Sequence, residues 1–159
     1  MRHFLLVLIF LLPAVSCAVE VDKVVVDKSE SKLFLMKGRN IVQEFHVVFG
    51  ANPKGHKQQE GDERTPEGLY ILDYKKKDSS FYRAIHISYP NKNDKKRAQS
   101  AGVNPGGQIM IHGQKNGLGW LSFISQLFDW TNGCIAVNNS DMDTIWKKVK
   151  AGTSIEIKP

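Results

Sequence analysis

Cysteine is scarce in this 159-residue chain, which contains two, Cys17 and Cys134. A short chain built on a disulfide framework carries several cysteines, so that class of protein is excluded. After residue 12 the sequence also lacks the ~20 consecutive apolar residues that a membrane-spanning helix needs. It has no internal repeat, low-complexity tract or long linker. We therefore expect one domain of about 140 residues with its own hydrophobic core.

The first residues have the pattern of a secretory signal peptide. Arg2 precedes an unbroken apolar run (4–12), and the small-residue stretch AVSCA (14–18) follows shortly after it. This pattern predicts a signal peptide over residues 1–18 and a mature domain over residues 19–159. The mature protein is then exported, to the periplasm or cell envelope.

Two processing sites compete within this segment. Cleavage after Ala18 follows a small-x-small rule, whereas acylation of Cys17 would anchor the protein to a membrane. Ala14 stands where the bacterial lipobox usually has Leu, so ordinary cleavage is favoured. Either way, Cys134 remains as a single thiol. An odd cysteine in an exported protein is an intermolecular cross-link, a reactive thiol or a small buried hydrophobe.

Basic residues outnumber acidic ones by 22 to 16, which gives a formal net charge of +6. They concentrate in two short runs, 75–77 and 91–97, and such runs are usually solvated loops. A positive surface would also hold an exported protein near an anionic polymer such as a cell wall. We expect no nucleic-acid partner outside the cytoplasm.

Short extended segments dominate the chain and predict a mostly-β domain. The first three strands are expected over 21–29, 32–38 and 40–50, as an antiparallel meander. Further strands are expected over 69–75, 82–90, 108–113, 133–137 and 153–157. In 82–90, alternation places Arg83 and Ile85 on one face and Ala84 and His86 on the other.

Two stretches between these strands predict loops. Residues 52–68 contain two prolines and three glycines among many charges, which indicates a long exposed loop. Residues 91–107 carry the second basic run and the sequence NPGG, and they are predicted as another loop.

Helical periodicity occurs only near the C-terminus. Apolar residues at 120, 121, 124, 127 and 128 have helical spacing. Ser140 with Asp143 forms a capping-box pattern, and an apolar stripe with i, i+3, i+4, i+7 spacing follows. The stripe consists of Met142, Ile145, Trp146 and Val149. The predicted fold is therefore a β-rich sandwich or barrel with one or two helices near the C-terminus.

The single thiol has a candidate partner among the histidines. A nearby imidazole lowers the pKa of a thiol and can accept its proton. His112 ends a predicted strand and Cys134 begins another, so their side chains can converge at the rim of a sheet. Gly133 leaves room for a substrate backbone, and main-chain N–H groups at the Gly-Cys step could stabilise an oxyanion. His56 is expected on the surface of the loop.

The motifs around these two residues resemble those of a known family. The sequence IHG (111–113), followed after a helical insert by TNGCIAV (131–137), resembles the signature of the L,D-transpeptidase catalytic domain (YkuD-type), an exported, β-rich cysteine-enzyme fold. GDERTPEG (61–68) resembles that family's loop with a Thr-Pro-x-Gly core. A terminal helix followed by GTSIEI (152–157) resembles its usual ending.

The chain departs from that family's signature at two positions. The usual pattern is Ser/Thr-His-Gly-Cys with an Arg two residues after the Cys. Asn132 replaces that His, and Ala136 replaces that Arg. An Arg can hold a substrate carboxylate through two parallel hydrogen bonds, which Ala136 cannot do. Arg83 and His86 are candidates to compensate.

The resemblance implies a function and a set of site residues. Cys134 would be the nucleophile and His112 its base. The implied oxyanion and substrate residues are Gly133, Asn132, Thr131, Gly113, His86 and Arg83. The reaction would be acyl transfer from a peptidoglycan stem peptide through a thioester, with no cofactor and no metal.

Several outcomes stay open at this stage. The acceptor would be an amine of a neighbouring stem or of a cell-wall-linked lipoprotein. Water as acceptor would make the same residues an L,D-carboxypeptidase or a cross-link-cleaving hydrolase. A non-catalytic cell-wall-binding domain is a further alternative. Metal binding is disfavoured because one Cys and scattered His do not form a ligand spacing typical of zinc sites.

Overall fold

Segments rich in β-branched residues form one eight-stranded sheet in the computed structural model, which describes residues 20–159. The strands are β1 Lys23–Asp27, β2 Lys32–Lys37, β3 Asn40–His46, β4 Gly68–Lys76, β5 Ala84–Ile87, β6 Met110–His112, β7 Ile135–Ala136 and β8 Thr153–Lys158. Their spatial order is β3-β2-β1-β8-β4-β5-β6-β7. The predicted signal peptide, 1–18, lies outside the described residues.

The two ends of this sheet approach each other. β1, β2 and β3 form the predicted antiparallel meander, and β8 pairs in parallel with β1. After β3 the chain continues past β7, where Val48 bridges to Ala136 and Gly50 bridges to Thr131. These bridges curl the sheet, and the prediction of a mostly-β, barrel-like fold is confirmed.

The helices are α1 Lys92–Ala101, α2 Ser122–Ser125 and α3 Asn139–Lys148, with a 3₁₀ turn at Gly119–Leu121 before α2. The prediction of a loop over 91–107 was wrong because α1 occupies most of it. Asn91 and Asp94 form a reciprocal capping box, and Gly102 ends the helix in the left-handed conformation. Only Asp94 and Ala98 of α1 are buried, so the helix has no apolar stripe for a sequence pattern to reveal.

The predicted C-terminal helix is confirmed as α3, with a different start. Its N-cap is Asn138, whose side chain accepts a hydrogen bond from Asp141 N, so the capping box at Ser140 was wrong. Met142 and Ile145 are fully buried beneath the sheet, as their spacing indicated. No helix within residues 20–159 combines the length and apolarity required to cross a bilayer.

The helical spacing at 120–128 produces only the short α2, and its apolar side chains face outward. Trp120, Phe123 and Leu127 are 70%, 66% and 78% exposed. The polar side chains point inward instead, since Ser125 Oγ donates to Gln114 Oε1 and Gln126 Nε2 lies 3.5 Å from Ala136 O. This segment therefore contributes no side chain to the hydrophobic core.

Three backbone segments meet without any side chain between them. A Cβ on Gly50 would lie 2.0 Å from Glu63 O and 2.9 Å from Gly133 Cα. A Cβ on Gly133, which has φ +114°, would lie 2.5 Å from Arg64 O. The loop that follows β3 is thus pressed against the segment that carries Cys134.

We expect Gly50→Ala to lower the free energy of unfolding by about 3 kcal/mol, because the backbone of Glu63 cannot move away from the new methyl group without losing its own contacts. Gly38→Ala is the matched control, since Gly38 has φ +57° and open space around it. It should cost only the ~1 kcal/mol of a left-handed alanine. Urea unfolding measures both, and equal losses would contradict the close-packing argument.

Candidate active site

The pairing of two strands places His112 and Cys134 on one face of the sheet. β6 and β7 are parallel, with Ile111 opposite Ile135 and His112 opposite Ala136. Because side chains alternate along a strand, Cys134 projects to the same face as Ala136, and therefore as His112. Both side chains line one cavity of about 350 Å³.

The imidazole of His112 is buried and has a defined orientation. It is 3% exposed and lies between Phe81, with ring centroids 4.3 Å apart, and Trp130, with centroids 6.1 Å apart. Its Nδ1 lies 2.7 Å from Gly113 O, so in the neutral ring Nδ1 carries the proton and Nε2 is the basic atom. Burial lowers the pKa of His112, and the hydrogen bond to Gly113 opposes that shift.

The thiol of Cys134 is half-buried, with Sγ 3.6 Å from Gln108 O. Burial raises the pKa of Cys134, while the backbone N–H of Met110 and the charge of Lys57 act in the opposite direction. The two shifts have a joint consequence. Both favour the uncharged forms of the two side chains, a thiol and a neutral imidazole, over a thiolate and an imidazolium.

Thr131 fixes the turn before the thiol. Its buried hydroxyl accepts a hydrogen bond from Gly133 N over 3.1 Å and donates one to Cys134 O over 2.7 Å. The Gly133 N–H is therefore already engaged within the turn. Asn132 is exposed and lines the cavity beside Cys134.

Gly113 permits a tight junction behind His112. A Cβ there would lie 2.7 Å from both Asn139 Oδ1 and Tyr82 O. The same Asn139 Oδ1 accepts a hydrogen bond from Gln114 N over 2.8 Å. Gly113 thus holds the end of β6 against α3 and keeps its carbonyl aimed at the imidazole.

Arg83 and His86 do not line the cavities around the thiol that the structure describes. Arg83 has φ +44°, which takes it out of the strand alternation, and its Nη1 lies 2.8 Å from Asp143 Oδ1. His86 shares the sheet face of His112 but lies opposite Met110, with Nδ1 2.7 Å from Asp73 Oδ1. Both side chains are engaged with partners outside the thiol's surroundings.

The thiol can be approached from two sides. A second cavity, of about 190 Å³, shares four lining residues with the first: Phe81, Gln108, His112 and Cys134. It extends away from Asn132, toward Lys76, Ser79 and Ser80. His112 and Cys134 thus line both cavities.

The loop at 52–67 is organised around one carboxylate, which the sequence did not reveal. Asp62 Oδ1 accepts from Lys57 Nζ (2.8 Å) and Arg64 N (3.1 Å), and Oδ2 accepts from Gln58 N (2.6 Å) and Gln59 N (3.0 Å). Burial alone would raise the pKa of Asp62, but these hydrogen bonds lower it to about 2.

The prediction that this loop is exposed was wrong for several of its residues. Lys57 is 3% exposed and Thr65 is fully buried. His56, expected on the surface, is half-buried, and its Nδ1 accepts a hydrogen bond from Glu67 N over 2.9 Å. A third cavity, of about 420 Å³, lies against the loop; its lining residues are Lys57, Glu60, Gly61, Glu63, Gly106, Gly107 and Asn132.

The residues from 20 to 159 contain no group of three or more His, Cys, Asp or Glu side chains placed to hold a metal ion.

Comparison with known proteins gives a consistent set of similarities. The family described as YkuD, L,D-transpeptidase catalytic domain, matches residues 22–157. YafK of Escherichia coli (strain K12) is 32% identical over 97 residues, which are 60% of this chain and 32% of YafK. The chain thus spans about a third of that relative's length.

Solved structures give the same result for the fold. The helical cell shape determining protein Pgp2 of Campylobacter jejuni has a TM-score of 0.66 at 26% identity, over 87% of this chain and 48% of Pgp2. An L,D-transpeptidase from Xylanimonas cellulosilytica has a TM-score of 0.57 at 15% identity, over 89% of this chain and 62% of that protein, a likeness of fold alone.

The charge of Asp62 should control the stability of the protein in acid. Its folded pKa is about 2, below the ~3.9 of an unfolded aspartate, so its stabilising contribution is present above about pH 4 and is lost as the pH falls toward 2. We expect Asp62→Asn to lower the Tm at pH 6 and to flatten its dependence between pH 4 and 2. Asp78→Asn, at an exposed carboxylate, is the control. Parallel acid profiles of the wild type and Asp62→Asn would contradict this role.

Proposed function

The chain belongs to the L,D-transpeptidase catalytic domain family, and we propose that it is an exported cysteine acyltransferase that acts on peptidoglycan stem peptides through a Cys134 thioester. One observation carries the proposal. The thiol of Cys134 and the buried, oriented imidazole of His112 line two cavities in common. An acyl donor and an acceptor can therefore reach Cys134 through different cavities. Export follows from the signal-peptide pattern at 1–18.

The first half-reaction is acylation of the thiol. His112 Nε2 takes the proton from Cys134 Sγ as the sulfur attacks the carbonyl carbon of the diamino acid that precedes the terminal D-residue. The carbon–nitrogen bond to that residue then breaks, and the imidazolium returns the proton to the leaving amine. The products are a thioester on Cys134 and a free D-amino acid.

The backbone around the thiol supplies the oxyanion site in this scheme. Gly133 N–H is engaged by Thr131 Oγ1, so we assign the oxyanion donor at this step to the N–H of Cys134. Thr131 then acts by holding that N–H in place, through its hydrogen bond to Cys134 O. Asn132 and Gly113 complete the site, the former at the cavity rim and the latter by orienting His112.

The second half-reaction transfers the acyl group to an amine. The amine enters through the cavity that the donor does not occupy. It gives its proton to His112 Nε2 as it attacks the thioester, and the imidazolium returns that proton to the leaving sulfur, which regenerates the Cys134 thiol. The amine belongs to a neighbouring stem or to a lysine of a cell-wall-linked lipoprotein. Water in the same position would give hydrolysis instead.

A covalent intermediate is the direct test of this function. Incubation of the mature protein with disaccharide-tetrapeptide should add the mass of the disaccharide-tetrapeptide minus that of one free D-amino acid, and Cys134→Ala should remove that adduct. Intact-mass spectrometry detects the adduct, and muropeptide analysis of the products follows. Dimeric products establish transfer to an amine, and tripeptide alone establishes a hydrolase. Absence of both adduct and product would favour a cell-wall-binding domain.

The pH dependence of acylation should report the buried imidazole. Protonated His112 cannot accept the thiol proton, so kcat/KM should fall on the acid side through a pKa below the ordinary ~6.5 of histidine. Phe81→Ala exposes the imidazole to water and should move this acid limb upward, because burial is what lowers the pKa. Release of the terminal D-residue, measured from pH 4.5 to 8, gives both profiles. An acid limb centred above 6.5 in the wild type would contradict the assignment.

A further inference from the structure

We propose that the segment between β6 and β7 docks the protein on the surface of an anionic phospholipid bilayer. Exposed apolar side chains of this segment enter the headgroup region, and neighbouring lysines contact the lipid phosphates. These apolar side chains form a surface that we call the apolar patch: Leu118, Trp120, Phe123, Ile124, Leu127 and Phe128. The patch lies outside both cavities at the thiol.

The polar side chains of the same segment fix the outward orientation of the patch. Ser125 Oγ donates to Gln114 Oε1, and Gln114 Nε2 donates to Val137 O over 2.8 Å. His46 Nε2 lies 2.9 Å from Gln126 O, at the end of α2. Because these contacts tie the polar side of the segment to the domain, turning the apolar side chains inward would break them.

The apolar patch is large for a single chain. Its six side chains are between 42% and 78% exposed. With about 150–250 Å² available to each large side chain, they leave on the order of 600 Å² of apolar surface in water. The largest apolar patch on a typical monomer is about 300–600 Å², and patches of this size mark interaction sites. Residues 116–128 contain no charged side chain, so moving the patch out of water buries no charge.

The loop that follows β4 borders the patch. Asn116 N donates to Ser80 O over 3.2 Å, and Asn116 Nδ2 donates to Ser79 O over 2.8 Å. These hydrogen bonds join the start of the segment to the loop that carries the basic run at 75–77. The basic run therefore lies beside one edge of the apolar patch.

This edge is positively charged. Lys76, Lys77 and Lys115 are exposed, and we call them the bordering lysines. Asp78 is the one acidic residue over 75–81 and 115–128. Exposed Trp, Phe and Leu side chains beside lysines are typical of segments that lie in a membrane interface. An anionic bilayer neutralises these lysines, whereas the segment offers no acidic residue with which a second copy of the chain could do so.

The bordering lysines connect this surface to the candidate active site. Lys76, with Ser79 and Ser80, also lines the smaller cavity beside Cys134. A docked protein therefore holds that cavity close to the bilayer. One consequence rests on the proposed function: an acceptor anchored in the same bilayer reaches Cys134 through that cavity.

Binding to vesicles tests the proposal. The mature protein is sedimented with vesicles of equal parts phosphatidylglycerol and phosphatidylethanolamine, and separately with vesicles of phosphatidylcholine alone. We expect partitioning to the anionic vesicles to be at least about tenfold stronger, because each lysine near an anionic surface adds about fivefold. Tryptophan emission should shift to the blue as Trp120 leaves water. No binding to the anionic vesicles, or equal binding to both kinds, would overturn the proposal.

Two leucines of similar exposure distinguish the patch from the rest of the surface. Leu127 is 78% exposed, and Leu69 on β4 is 68% exposed. Leu127→Ser should weaken binding to the anionic vesicles by about fivefold or more, and Leu69→Ser should leave it unchanged. Both side chains are exposed, so neither substitution should lower the Tm, which is measured for each variant. Equal losses of binding in the two variants would contradict docking through the patch.

The bordering lysines have a matched control in the second basic run. The triple variant Lys76→Gln, Lys77→Gln, Lys115→Gln should weaken binding to the anionic vesicles by at least about tenfold. The control makes the same change of charge at exposed lysines of α1 and should have a much smaller effect: Lys92→Gln, Lys95→Gln, Lys96→Gln. If the two triple variants lose binding to the same extent, the attraction comes from net charge and the docking surface is wrong.

The same experiments identify the other outcomes. A protein that ignores vesicles and sediments as a dimer, which Leu127→Ser dissociates, would show that a second copy covers the patch and would overturn the proposal. None of these measurements requires acyl transfer. Vesicle binding without an acyl-enzyme would support docking and contradict the proposed function, and an acyl-enzyme without vesicle binding would do the reverse.

Discussion

The parallel pairing of β6 with β7 is the constraint on which the site depends. β7 has only two residues, and it is held from both sides: Val137 N donates to His112 O, while Ala136 exchanges two hydrogen bonds with Val48. A slip of one residue in this register would turn Cys134 to the opposite face of the sheet. The curling of the sheet, which brings Val48 to β7, therefore helps to hold the thiol and the imidazole on one face of the sheet.

The loop at 52–67 borders the candidate site, and it is built differently. It has no regular secondary structure, yet four hydrogen bonds to Asp62 give it a defined shape. The glycine contacts at Gly50 and Gly133 then press it against the turn that carries Cys134. Because backbone contacts backbone there, the position of Glu63 and Arg64 relative to this turn is set by close packing rather than by a flexible side chain.

The strands were predictable because alternation and β-branched residues carry that signal locally, and the convergence of a strand-end His with a strand-start Cys followed from it. The roles of these two residues stay predictions. Other features depend on partners distant in sequence. The burial of Lys57 requires Asp62 and a folded loop. Arg83 departs from strand alternation, and its guanidinium pairs with Asp143 on α3. The helix α1 has strong caps but no apolar stripe, so hydrophobic periodicity could not reveal it.

The burial of Cys134 has a consequence for its oxidation. Peroxides oxidise the thiolate rather than the thiol, and the oxidation ladder from sulfenic to sulfonic acid begins with that anion. A cysteine whose pKa is raised by its surroundings spends little time as the anion at neutral pH. Within residues 20–159 no second cysteine could capture a sulfenic acid as a disulfide, so the burial that keeps the thiol protonated is also what slows its oxidation.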